Sequence, residues 1–221
     1  PLYTMPDQEK LFVRRVGEGE PVLVLSGLGM QSWQWLPFLF ANRHKYEFII
    51  PDWRGFGGSK NCAIPEIDAI SSHWNDVASL IQQLILDQFI LIGYSLGAST
   101  AMHGMKHGGL AQKLKAYLHI DQTPKLTVDD SWQYGLFGQK QAQFKRLLLD
   151  IQTLLLENKQ AATLNDLPSN IRYKLVSLWG DFIELQNSNT YSVKLVRLAL
   201  KRPALQKYFL PIQRLDYLLW Y

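Results

Sequence analysis

Cysteine is almost absent: Cys62 is the single one in 221 residues. No disulfide framework can form within the chain, and a reducing, cytoplasmic compartment is expected. Cys62 follows Asn61 without a neighbour that would lower its pKa, so it is not read as a reactive thiol. No apolar run approaches the roughly 18 residues that a membrane helix needs, and no membrane span is expected. Charged residues are only 19%, and the formal net charge of +4 comes without any nucleic-acid motif. Lys106, Lys113 and Lys115, then Lys194, Arg197, Lys201 and Arg202, are read as solvated helix faces, with no nucleic-acid partner. The first ten residues, "PLYTMPDQEK", carry acidic side chains and no apolar h-region, so they are not read as a signal peptide. They also lack an initiator Met, which suggests a processed or clipped start. Repeats, low-complexity tracts, metal-ligand clusters and phosphate-cradling loops are all missing, so neither a metal nor a cofactor is expected. No feature sets an oligomeric state.

What is present is apolar material in an ordered rhythm. Hydrophobic residues make up 47% of the chain and aromatics 12%, enough for one sizeable core or a core with a lid. "PVLVLSGLG" (21–29) and "YEFIIPDWRGFGGS" (46–59) are short apolar runs ended by glycine-rich turns, as strands buried on both faces read. From Ser71 the period becomes helical through Trp74, Val77, Ala78, Ile81, Leu84 and Ile85. Ser71 or Ser72 would be the N-cap, and Asp76 in the first turn would suit the helix dipole. "FILIGY" (89–94) is the next strand, "LGASTAMHGMKHGGL" a helix fraying at Gly108–Gly109, and "AYLHIDQTP" (116–124) a further strand. Strands alternating with helices predict an α/β fold with a mainly parallel sheet flanked by helices.

After Pro124 the rhythm changes. Residues 139–200 read as helical, with apolar stripes at Phe144, Leu147, Leu148, Ile151, Leu154 and Leu155, then at Leu175, Leu178, Trp179, Phe182 and Ile183. A helical block placed after a sheet strand is how a lid is built. "RLDYLLWY" (214–221) turns strand-like again. The expected organisation is a core over 1–124, a helical lid over 125–206, and the start of a return to the core sheet over 207–221.

The chemistry concentrates in Gly93-Tyr94-Ser95-Leu96-Gly97, between a predicted strand and a predicted helix. Ser95 could be a plain helix N-cap. Alternatively, a serine held on a sharp strand-to-helix turn projects its hydroxyl above the sheet. Side chains two positions either way would then meet neighbouring backbone, which requires glycine at both. The helix that opens at Leu96 would point its N–H groups at the place where an oxyanion develops.

With these residues in view the chain resembles the α/β-hydrolase family, in its serine-nucleophile, lid-containing branch. "VLVLSGLGMQSWQW" is similar to the family's first central strand and oxyanion loop, and "PDWRGFGGS" to its D-x-R-G-x-G-x-S segment. "LHIDQTPK" is similar to the strand before the lid. The resemblance implies that Ser95 is the nucleophile and that the backbone N–H groups of Leu28 and Leu96 form the oxyanion hole. It implies a small-molecule acyl substrate, cleaved at an ester, thioester or related bond through an acyl-enzyme. A serine in place of aspartate at the elbow argues against the dehalogenase and epoxide-hydrolase branches. Where the family usually has His-Gly this chain has Ser26-Gly27, read as tolerated. Asp52 and Arg54 are read as bracing the loop, since an Arg–carboxylate pair can pin a glycine-rich turn. Asp121 stands where some members carry the triad acid. The five histidines, His44, His73, His103, His107 and His119, all precede the region where the family places its base, and each is read as structural or solvated. The chain is therefore expected to end before the acid and histidine, with the C-terminal strands and helix missing, and to hydrolyse feebly. The alternative is a non-catalytic or truncated homologue acting as a small-molecule binding module.

Overall fold

The computed structural model describes residues 1–185, apart from 159, 162 and 163 and the side chains of 164, 179 and 183. The strand-like reading of 214–221, the helical reading of 186–200 and the basic faces at Lys194, Arg197, Lys201 and Arg202 lie outside the described residues. The chain divides into two compact units, Pro1–Pro124 and Lys125–Tyr221.

The first unit is a six-stranded sheet with helices on both faces. Its strands are β1 (Leu2–Thr4), β2 (Lys10–Val16), β3 (Glu20–Leu25), β4 (Tyr46–Pro51), β5 (Phe89–Tyr94) and β6 (Leu114–Ile120), in the order β1-β2-β4-β3-β5-β6. β1 and β2 are antiparallel, as are β2 and β4; the pairs β4–β3, β3–β5 and β5–β6 are parallel. Three helices belong to this unit: the short α1 (Leu36–Leu39), α2 (Ala69–Gln83) and α3 (Leu96–His107).

Strand alternation splits the apolar side chains between two cores. Phe89 and Leu91 of β5 join Leu23, Leu25 and Ile49 beneath Val77, Leu80 and Ile81 of α2 and Ala101 of α3. Val22, Val24, Phe48 and Ile50 point the other way and meet Trp35, with Ile90, Ile92 and Tyr94 of β5 packed against them. The first face is fully covered, and each of its larger side chains contributes about 1.5–3 kcal/mol by leaving water. The second is thinner: Phe38 of α1 and Leu118 of β6 remain exposed.

The N-cap of α2 is Asp68, whose carboxylate accepts from the Ser71 N–H at 2.8 Å. The helix therefore starts at Ala69, and the expected caps Ser71 and Ser72 lie inside it. Asp76 is likewise not a first-turn dipole residue: it is buried two turns into α2 and paired with Arg54. Trp74 of α2 lies across α3, where a Cβ at Gly104 or Gly108 would come within 2.3 or 2.1 Å of its indole. This close approach accounts for a glycine in the interior of α3, where it costs the helix about 1 kcal/mol against alanine. Lys115, expected on a helix face, sits on β6 and forms an ion pair with Glu20.

In the second unit α4 (Gln141–Glu157) and α5 (Ser169–Leu185) pack together. Phe144, Leu148, Ile151, Leu167 and Leu175 form its core, with Phe137 and Phe182 against Phe144. Gln141 ties the preceding loop to α4, donating to the carbonyls of Leu126 and Leu136 and accepting from the Val128 N–H. Among the described residues, no helix is long and apolar enough to cross a membrane.

Candidate active site

Ser95 occupies the residue between β5 and α3, with φ 51° and ψ −114°. A non-glycine residue there is strained by about 1–3 kcal/mol and persists only when its surroundings enforce it. Here they do. A Cβ on Gly93 would stand 2.8 Å from the Ala98 Cα, and one on Gly97 would stand 2.0 Å from the Leu25 carbonyl oxygen. The Ser95 N–H donates to the Ile120 carbonyl of β6 at 3.0 Å, and the Ser95 carbonyl accepts from the Ser99 N–H at 3.1 Å, which begins the helix.

Two observations separate this serine from an ordinary N-cap. A capping residue adopts β-region dihedrals and accepts a bond from the N2 or N3 amide. Ser95 has a positive φ, and its side chain makes no capping bond. The hydroxyl is left at the head of a twelve-residue helix, whose first N–H groups and dipole favour negative charge at that point.

The loop after β3 lies against the same residue. A Cβ on Gly27 would sit 3.0 Å from the Tyr94 ring and 3.4 Å from the Ser95 Cβ, so the Gly27 backbone reaches Ser95 only because it has no side chain. The turn closes with the Met30 N–H on the Gly27 carbonyl at 3.2 Å, which leaves Leu28, half-exposed, at its crest.

Buried polar groups hold this loop in place. The Ser26 hydroxyl accepts from Trp35 Nε1 at 3.0 Å, and the Ser26 carbonyl accepts from Trp53 Nε1 at 2.8 Å. Only the Trp35 bond uses the serine hydroxyl; the Trp53 bond is accepted by the backbone carbonyl, which any residue at this position offers. Asp52, also buried, accepts from the Ser32 N–H at 2.6 Å and the Gly58 N–H at 2.8 Å, which joins the segment after the loop to the turn after β4.

Arg54 does not pair with Asp52, as the loop-bracing reading suggested. Its guanidinium instead donates twice to Asp76, at 2.8 and 2.7 Å, and twice to Asp7, at 2.5 and 3.0 Å. A fifth bond, to the Ala63 carbonyl at 2.9 Å, completes its donor set. The two carboxylates raise the Arg54 pKa, with the Asp76 hydrogen bond the larger cause. Beneath them His73 stacks on Trp53 at 4.1 Å, and burial, followed by the Arg54 charge, lowers its pKa to about 3. Cys62 is buried, donates to the Lys10 carbonyl at 3.0 Å, and has its thiol pKa pushed up chiefly by desolvation.

The structure therefore brings Gly27, Leu28, Gly93, Ser95, Leu96 and Gly97 together. Asp121 follows β6 with φ 50°, one residue beyond the carbonyl that holds the Ser95 amide, and it is exposed. None of the five histidines hydrogen-bonds to Ser95. The His119 ring is held on both sides, with Nδ1 2.8 Å from the Tyr117 hydroxyl and Nε2 2.7 Å from the Gln122 carbonyl. A carbonyl only accepts, so Nε2 donates. His44 is exposed two residues before β4, and His103 stands beside His107 on α3. Among the described residues, no group of three or more His, Cys, Asp or Glu is placed to hold a metal ion.

An apolar recess of about 720 Å³ is bounded by Leu28, Met30, Trp35, Phe38, Ile92 and Tyr94. It lies on the α1 side of the sheet, and Ser95 is not among its walls. Sequence reasoning missed the bracing roles of Trp35 and Trp53, which bind across 9 and 27 residues of chain. Only the indoles' need for a buried acceptor could have signalled them.

A family model described as "Alpha/beta hydrolase family" matches residues 22–200. The chain is 33% identical over 96 residues to "Epoxide hydrolase 2" of Siraitia grosvenorii, covering 42% of this chain and 30% of that protein. It is 26% identical over 119 residues to "Pimeloyl-[acyl-carrier protein] methyl ester esterase" of Legionella pneumophila, covering 53% of this chain and 44% of that protein. The matched stretches thus span between a third and a half of these relatives, or slightly less. Among solved structures, an alpha/beta hydrolase fold protein from Burkholderia ambifaria superposes with a TM-score of 0.62 at 14% identity, covering 99% of this chain and 72% of that one. That likeness concerns the fold.

Proposed function

The chain belongs to the alpha/beta hydrolase family, and from that premise we propose that it is a serine hydrolase scaffold for ester, thioester or related acyl bonds. Ser95 Oγ attacks the carbonyl carbon, the leaving group departs with a proton, and water then hydrolyses the acyl-serine. The backbone N–H groups of Leu28 and Leu96 receive the oxyanion. A single observation carries the reading: Ser95 is held at φ 51° with no capping bond, between the Gly27 loop and the head of α3. Strain of that size on a residue with no structural use for its hydroxyl favours a chemical one. The serine also distinguishes this site from the activity named for the Siraitia relative, since a carboxylate nucleophile serves the epoxide-hydrolase branch.

Asp121 is the candidate acid by its place after β6, and residues 125–206 are the candidate lid. With no histidine bonded to Ser95, the hydroxyl remains a weak nucleophile at neutral pH. Activity of this chain is then limited to what substrate binding and the oxyanion hole supply, about 10³–10⁴-fold over water. No cofactor is required by this scheme.

Imidazole rescue tests the assignment. The wild-type chain and Ser95→Ala would be incubated with a p-nitrophenyl ester while free imidazole is raised, and the acylated residue mapped by mass spectrometry. A rate that rises with imidazole only where Ser95 is present supports the proposal, as does an adduct on Ser95. Equal rates in both proteins at every imidazole concentration would favour the binding-module alternative.

A further inference from the structure

The turn after β6 reaches Ser95 from two directions, and one side chain closes that turn. The Ser95 N–H donates to the carbonyl of Ile120, the last residue of β6, and the Ser95 carbonyl accepts from the Ser99 N–H. The Ser99 hydroxyl in turn accepts from Gln122 Nε2 at 2.9 Å. Gln122 Oε1 accepts from the Thr123 N–H at 2.9 Å, which leaves the amide nitrogen to face Ser99. Between Ile120 and Gln122 stands Asp121, at φ 50°. His119 bridges this pair of residues, with Nε2 2.7 Å from the Gln122 carbonyl.

The roles of the two ring nitrogens follow from their partners. Nε2 faces a carbonyl and carries a proton, so Nδ1 of the neutral ring accepts from the Tyr117 hydroxyl at 2.8 Å. Burial pushes the Tyr117 pKa up to about 12, so its O–H is available for that bond at neutral pH. The same hydroxyl lies against the elbow, where a Cβ on Gly93 would come within 3.1 Å of it. His119 is exposed and joins none of the apolar cores. Apart from an edge contact with the Tyr117 ring, its two hydrogen bonds hold it.

Resting on the reading of Ser95 as nucleophile, we propose that His119 is a positioning residue for it. Through Gln122 it steadies Ser99, which holds the Ser95 carbonyl, and the turn that begins at Ile120, which holds the Ser95 N–H. It thereby sets the direction of Ser95 Oγ without touching the reacting atoms. Gly93 and Gly97 remove the obstacles to the strained backbone, whereas this chain of bonds supplies the restraint that keeps it. Loss of one neutral hydrogen bond changes a local opening equilibrium by about tenfold. A reacting atom misplaced by about 1 Å can lose about 10²-fold in rate. The effect of removing the His119 ring is expected between those values. His119 is not the base, because both of its nitrogens are engaged away from Ser95.

The test follows imidazole-assisted acylation of Ser95 by a p-nitrophenyl ester in the 221-residue chain, with the Ser95→Ala rate subtracted, beside hydrogen exchange at the Ser95 amide. The variants are His119→Ala, His119→Gln and Tyr117→Phe, with His44→Ala as control. Glutamine returns an N–H donor near the place of Nε2 and should keep the bond to the Gln122 carbonyl. In His119→Ala, kcat should fall about 10- to 10²-fold with KM unchanged. Its Ser95 amide should exchange about tenfold faster while the β3 amides stay as in the wild type. His119→Gln should restore most of both, Tyr117→Phe should fall between, and His44→Ala should match the wild type. Wild-type acylation and exchange in His119→Ala would overturn the proposal. So would a His119→Gln as impaired as His119→Ala, which would trace the effect to the bulk of the ring, or equal acceleration at β3, which would make the loss global. A wild-type chain that forms no Ser95 adduct at any imidazole concentration would instead sink the nucleophile reading, and the positioning role with it.

Discussion

Replacing Ser95 with glycine should stabilise the first unit, although glycine usually does the reverse. At an ordinary position, glycine in place of alanine destabilises by about 0.5–1 kcal/mol, because the unfolded chain gains freedom. At φ 51° and ψ −114° the β-carbon of serine or alanine carries strain of about 1–3 kcal/mol that glycine does not. Ser95→Ala keeps the strain and removes a hydroxyl that makes no capping bond, so it provides the reference. Against it, Ser95→Gly should gain about 0.5–2 kcal/mol once the entropic loss is subtracted. For a chain of this length that corresponds to a rise in Tm of about 2–4 °C per kcal/mol. Urea unfolding of the three proteins should be read through hydrogen exchange at the β5 amides, which report on the unit that holds Ser95. If Ser95→Gly is no more stable than Ser95→Ala, the backbone is not strained there, and strain gives no reason to assign the serine a chemical use.

Gly97→Ala is expected to cost more than about 3 kcal/mol, since the new Cβ would meet the Leu25 carbonyl at 2.0 Å and backbone yields little; a soluble variant with an unchanged urea midpoint would refute that. Asp76→Ala should cost about 3–5 kcal/mol, because it removes the better-buried of the two carboxylates that face Arg54. Restoration by Asp76→Glu, but not by Asp76→Leu, would trace the loss to charge rather than volume. His73 has its pKa depressed to about 3 in the folded chain and near 6.5 in the unfolded one, so the unfolded state binds the extra proton between those values. Stability is therefore complete above about pH 6.5 and falls as the pH drops toward 3, by about 1.4 kcal/mol per pH unit well inside that window. His73→Phe should flatten the decline between pH 6 and about 4.5; an unaltered slope would show that other groups cause it.

Residues whose partners lie nearby in the chain, or whose backbone geometry dictates their type, could be read in advance. The glycines at 93 and 97 announce the elbow because only the absence of a Cβ fits against Ala98 and Leu25. The apolar runs of β3, β4 and β5 announce buried strands because both of their faces are covered. The hairpin of β1 and β2 was not anticipated. Phe12 interrupts the alternation of Leu11 and Val13, and what it packs against is the backbone at Gly58, far along the chain. Asp76 reads as a surface residue in any local window. Its burial depends on Arg54, whose position in space is set by how the turn after β4 folds. Asp68 outcompetes Ser71 and Ser72 as the cap because its carboxylate reaches the Ser71 amide from outside the helix. The Trp35 and Trp53 bonds to Ser26 likewise join elements that only the tertiary fold brings together.

The strand order also sets a timetable for synthesis. β3 receives β4 on one side from nearby sequence, but its other neighbour is β5, with Val22 pairing to Ile90. A ribosome adding about 5–20 residues per second takes several seconds or more to cross that interval. Throughout it, "EPVLVL" presents an unpaired apolar edge of high β-propensity to any other nascent chain. Ribosome pausing between α2 and β5 should therefore cost folded yield more than an equal pause after β6, because only the first leaves that edge open.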